Sequence, residues 1–147
     1  MPTSTQQLDH RQTLVPRSAA AGEKQHYLSV ELRPDLEAPR RCRQTVERTL
    51  SRWGWTGRQA EVAELLVSEL ASNAVIHAGS ALRLSLLLSG ERIRIEVADR
   101  SRTLPELRPR ASGGAGGWGL RLIDQLSTRW DAERRLDGKV VWAELEL

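Results

Sequence analysis

Between Arg58 and Ala78 the chain carries a long run of apolar residues at helical spacing. Val62, Leu65, Leu66, Leu70, Ala74 and Val75 form its stripe, and Gly79 stops it as a helix-ending glycine does. Two alternating segments follow, Leu82–Leu88 and Ile93–Val97, joined around Ser89-Gly90. A helix feeding directly into a hairpin is not a repeated strand–helix–strand pattern, which counts against a dinucleotide-binding parallel sheet. Upstream, Tyr27–Leu32 alternates as a strand. Leu36, Cys42, Val46, Leu50 and Trp53 then recur at helical spacing over about residues 36–53, with Pro39 in the first turn. Downstream, Leu120, Leu122, Ile123 and Leu126 mark a third helix. Thr128–Trp130 and Lys139–Leu147 read as a closing hairpin turned at Asp137-Gly138. The order β-α-α-β-β-loop-α-β-β predicts an α+β two-layer sandwich.

The 147 residues suit one domain with a real core. Residues 1–26 are polar and aperiodic, so they read as a tail before a domain spanning 27–147. No segment approaches the roughly 20 apolar residues a membrane helix needs, and no basic start followed by an apolar block marks an export signal; the expected location is the cytoplasm. Cys42 is the single cysteine. It excludes an internal disulfide and a cysteine-rich metal site, and its expected role is a small apolar core residue. The net charge of +3 invites a nucleic-acid reading, but 20 of the 22 basic residues are Arg spread along the chain. No recognition helix with base-reading residues accompanies them. No nucleic acid and no membrane are expected as partners.

Three pieces carry candidate chemistry. Glu69 and Asn73 lie four residues apart, hence on one helix face about 6 Å apart along the axis. Asn is a poor helix former and needs a polar partner there; a phosphate-bridging Mg²⁺, which takes few protein oxygens, is a natural one. His77 continues the stack, where packing or capping is an equal reading. Asp99 ends the second alternating run, and its carboxylate can accept a hydrogen bond from the exocyclic amine of adenine. Finally, Gly113, Gly114, Gly116, Gly117 and Gly119 surround Trp118 just before a helix. Glycines let backbone N–H groups approach phosphate, and a helix start adds its positive end. No Lys-Ser/Thr follows, so this is no Walker loop.

In this order the pieces resemble the GHKL, or Bergerat-fold, ATPases. Glu69-Leu70-x-x-Asn73-Ala74-x-x-His77-Ala78 resembles their N-box, Val97-Ala98-Asp99-Arg100-Ser101 their first glycine box, and Gly117-Trp118-Gly119-Leu120 their second. Ser68-Glu69-Leu70 and Gly138-Lys139-Val140-Val141-Trp142 point to the bacterial anti-sigma-factor serine/threonine kinase branch. The resemblance implies a mixed sheet with three helices on one face, and ATP with Mg²⁺ held between helix and lid. It implies that Asn73 is the metal ligand, that Asp99 binds adenine and that Glu69 is the general base. Ser101, His77, Leu120 and the lid glycines fall in the same boxes. It implies a sigma factor and a STAS-type anti-anti-sigma protein as partners, the latter offering a serine to the γ-phosphate, and a homodimer as the common assembly. Two positions depart from the pattern. Ser101 stands where the first glycine box carries Gly, and Val140 stands where the last box places a Thr beside the Asp. A lost hydroxyl there weakens nucleotide binding by about 0.5–1.5 kcal/mol. A non-catalytic partner-binding module with weakened or lost nucleotide binding is therefore the alternative to a kinase.

Overall fold

The computed structural model describes residues 24–105 and 118–146. Its elements are β1 (Gln25–Leu32), α1 (Ala38–Arg52), α2 (Arg58–Ala78), β2 (Leu82–Ser89), β3 (Arg92–Asp99), α3 (Trp118–Leu126), β4 (Arg129–Arg135) and β5 (Gly138–Glu146). The strands form one sheet in the order β1-β2-β3-β5-β4. Every pairing is antiparallel, so the sheet is not the mixed one expected. The β2–β3 and β4–β5 connections are hairpins; α1 and α2 return the chain antiparallel from β1 to β2, whereas the connection that carries α3 crosses over β5 and sets β4 in the same direction as β3.

The core lies between sheet and helices. Leu82, Leu84, Leu86 and Leu88 of β2, Ile93, Ile95 and Val97 of β3, and Val141, Ala143 and Leu145 of β5 form its floor. Ala38, Cys42, Val46 and Leu50 of α1, the Leu66–Leu70–Ala74 face of α2, and Leu120 and Ile123 of α3 close it from above. The period of two along the strands and of 3.6 along the helices sets this division. α2 is central: it packs on both other helices and on β2, β3 and β5. Its end is fixed by Gly79 in the left-handed region (φ 57°), a conformation that suits a residue without Cβ. His26 stacks on Trp53 at 5.3 Å and so ties β1 to the end of α1.

Some expected core residues lie elsewhere. Leu36 is 90% exposed because α1 starts two residues after it, and Leu65 is 38% exposed on the outer flank of α2. Val62 and Val75 are only partly buried. Cys42 is fully buried, and burial pushes its thiol up to about 11, as an apolar core position requires.

The face of the sheet away from the helices carries charges rather than a second layer. Arg94 bridges Glu96 (2.6 Å) and Glu144 (3.1 Å) and lies over the Trp142 ring. Arg129 also pairs with Glu144, and the Trp142 indole N–H donates to Glu133. Burial pushes the Glu144 carboxyl up, but its hydrogen bonds to Arg129 and Arg94 outweigh that and leave it below the usual range. Glu96 is left above the usual range, because its burial outweighs the contact with Arg94.

Candidate functional site

Glu69 and Asn73 fall where the helical spacing puts them. Both are half-buried on α2, beside the core face made by Leu66, Leu70 and Ala74. Glu64, which faces Arg43 of α1 at 3.9 Å, is five residues from Glu69. That is about 140° around the helix, so Glu69 lies on the flank turned away from α1. Neither Glu69 nor Asn73 pairs with another described side chain. His77 is exposed in the last turn of α2. A carboxylate and a carboxamide oxygen side by side, both unengaged, are suited to a solvated cation or a hydroxyl group.

Asp99 is different. It closes β3 on the helix-facing side of the sheet and is 7% exposed. The loop after it is tied back: the Arg100 N–H donates to Ser80 Oγ (3.0 Å), just beyond the end of α2. The Ser101 N–H donates to Asp99 Oδ1 (2.8 Å), and Ser101 Oγ accepts from the Thr103 N–H. Ser101 thus closes a local turn around the carboxylate, where the family pattern places glycine.

The second oxygen of Asp99 is engaged by Lys139. The β3–β5 register sets the two residues opposite each other. Lys139 Nζ lies 2.9 Å from Asp99 Oδ2 and 3.2 Å from Oδ1, with the two side chains 3% and 1% exposed. Gly138 makes this approach feasible. A Cβ at that position would overlap the Asp99 carbonyl oxygen and lie 2.7 Å from Arg100 Cα, so only glycine lets β5 start this close to β3.

This arrangement corrects one expectation. The residue beside Asp99 is Lys139, not Val140; Val140 pairs with Ala98 and sits on the opposite face of the sheet. There it lines a cleft of about 150 Å³ with Glu31, Arg83, Ser85, Glu96 and Arg135, and Asp99 and Lys139 line the same cleft at the sheet's end. Leu120 is a core residue, 2% exposed. Gly113, Gly114, Gly116 and Gly117 lie outside the described residues, as does the side chain of Trp118, which with Gly119 begins α3. Lys139 was missed, although the sequence holds a signal for it. It shares its alternation with Val141, Ala143 and Leu145, so a strand at that register puts a lysine on the apolar face.

The α2 flank and the Asp99–Lys139 pair differ in how they fit a magnesium–adenine nucleotide, and the cleft that Asp99 lines includes neither Glu69 nor Asn73. The α2 flank fits the phosphate end, with one neutral oxygen ligand at Asn73 and a free carboxylate at Glu69. Among the described residues no group of three or more His, Cys, Asp or Glu could hold an ion alone. The base-recognising end fits less well: the carboxylate that adenine's amine needs already accepts from a buried ammonium and a backbone N–H, so an amine must compete with Lys139.

A family model described as the histidine kinase-like ATPase domain matches residues 32–145. Among solved structures, the RsbU and RsbW domains of Rv1364c from Mycobacterium tuberculosis superpose with a TM-score of 0.64 at 21% identity. The match covers 83% of this chain and 32% of that one, so the chain spans about a third of that structure. The histidine kinase domain of the blue-light activated histidine kinase EL346 from Erythrobacter litoralis gives a TM-score of 0.46 at 25% identity, covering 71% and 59% of the two chains. No curated protein matches. Described helices, sheet and family match agree, and none of the described helices is long and apolar enough to cross a membrane. The chain belongs to the histidine kinase-like ATPase domain family, a GHKL-type fold whose ligand class is ATP.

Proposed function

We propose that this chain is a regulatory partner-binding domain of the anti-sigma-factor kinase kind, in which adenine nucleotide binding is weakened and protein contacts carry the function. The Asp99–Lys139 bridge is the observation that supports this reading. A carboxylate that recognises an amine must offer it an oxygen, and here both oxygens already accept from groups of the protein, Oδ2 from a buried ammonium that an incoming amine must displace or share. Opening the bridge leaves two buried charges unpaired, which costs several kcal/mol before any ligand contact forms. The partners proposed are a sigma factor and a STAS-type protein. The resemblance in the sequence and the fold shared with the RsbU and RsbW domains of Rv1364c support them. The working compartment proposed is the cytoplasm.

A second reading, an ATP-dependent serine/threonine kinase, is favoured by Glu69 and Asn73. Their pairing on the free flank of α2 suits a general base toward a serine hydroxyl and an oxygen ligand for Mg²⁺. Incubation with Mg-ATP and a serine-bearing STAS-type protein separates the two. The first reading expects no more phosphoserine from the wild type than from Glu69→Gln. Transfer by the wild type that disappears in Glu69→Gln establishes the kinase.

A further inference from the structure

We infer that Lys139 is a tethered stand-in for the amine of adenine, and that this one side chain sets whether the domain takes an adenine nucleotide. The inference rests on the reading of weakened nucleotide binding and names its cause. The chemistry of the two donors is alike: each offers N–H to a carboxylate oxygen at hydrogen-bond distance. Lys139 differs in carrying a full positive charge and in being attached to the chain. It binds Asp99 at the effective concentration of an intramolecular group, with no loss of translational freedom on closure. A free nucleotide must displace it and offers a neutral N–H in return.

The surroundings hold Lys139 in this role. Gly138 sets β5 against the end of β3. The register places Lys139 across from Asp99 and not one residue away, because a slip would turn Val141, Ala143 and Leu145 out of the core. The Ser101 N–H and the Arg100–Ser80 hydrogen bond fix the carboxylate from the other side. Arg94, Arg129 and Arg135, by contrast, have carboxylate partners on the opposite face of the sheet and do not compete for Asp99. Among these contacts the Lys139 ammonium is the replaceable one: the backbone N–H of Ser101 stays whatever side chain follows Gly138.

Exchanging Lys139 for a short hydroxyl residue therefore frees Asp99 Oδ2 and leaves room beside it. The test is a calorimetric titration of the full chain, wild type and Lys139→Thr, with Mg-ATP and Mg-GTP, alongside melting curves with and without nucleotide. Lys139→Thr is expected to bind Mg-ATP about tenfold to a hundredfold more tightly than the wild type, the range for one hydrogen bond to a charged acceptor, and to prefer it over Mg-GTP. Asp99→Asn combined with Lys139→Thr is expected to lose that gain. If Lys139→Thr unfolds alone, Mg-ATP is expected to refold it; failure to do so overturns the inference. Weak binding by both wild type and a folded Lys139→Thr overturns the inference and leaves the reading of weakened binding intact. Tight, ATP-selective binding by the wild type overturns both.

Discussion

Breaking the Asp99–Lys139 pair from one side is expected to cost far more than removing it whole. In Lys139→Met the Asp99 carboxylate keeps the Ser101 N–H at 2.8 Å and loses the ammonium at 2.9 and 3.2 Å. With that side chain 1% exposed, water cannot replace the lost partner, and an uncompensated buried charge costs about 3–5 kcal/mol. Asp99→Asn strands the ammonium, 3% exposed, at a similar cost. In the double variant both charges leave together. The amide oxygen still accepts from Ser101, and exchange of a buried pair for neutral groups is often close to neutral. The coupling between the two sites is therefore expected to exceed about 2 kcal/mol, a large share of the 5–15 kcal/mol that holds a domain folded. Urea unfolding followed by tryptophan fluorescence measures all four proteins, with equal slopes required for the comparison. Additivity of the single variants within about 0.5 kcal/mol would refute the reasoning, because groups that do not share one buried contact add.

Further outcomes follow from the same contacts. Gly138→Ala places a methyl group on the Asp99 carbonyl and is expected to destabilise by about 1–3 kcal/mol or more, checked by thermal melting. Glu144→Gln removes a carboxylate held below its usual range by Arg129 and Arg94, after burial is overcome. A lowered carboxyl contributes stability above its unfolded pKa and loses it as pH falls through the folded value. The wild type's advantage over Glu144→Gln is thus expected at pH 7 and expected to vanish in acid below the ordinary carboxylate range, read from unfolding curves across pH. Cys42, raised to about 11 from 9.0, works the other way. Its contribution is full below pH 9.0 and is lost as pH rises toward about 11, and native-state alkylation at pH 8 is expected to be slow until urea exposes the thiol.

Much of the fold was legible because its signals are local. The bounds of α2 follow from a helical stripe closed by Gly79, and the β2–β3 hairpin from two alternating runs around Ser89-Gly90. β4 was read only as far as Trp130. Its continuation Asp131–Arg135 is charged and forms a sheet edge, so no apolar alternation reveals it; pairing with β5 makes it a strand. The start of β1 at Gln25 was likewise hidden in polar residues. The antiparallel direction of the β1–β2 and β3–β5 pairs depends on how the helical connections return the chain, which no local pattern encodes. At the site, the spacing of Glu69 and Asn73 is a helix property and was readable. The partner of Asp99 is a property of register between strands forty residues apart in sequence, and the displacement of one position between Val140 and Lys139 reverses which face each one takes.

The most direct test of the central claim is a titration of the wild-type domain with ATP and with GTP, each with and without Mg²⁺. A carboxylate sealed by Lys139 predicts weak binding with no preference for adenine over guanine. Tight binding of ATP that excludes GTP and requires the metal would contradict it, and would show that the ammonium yields its place to the base.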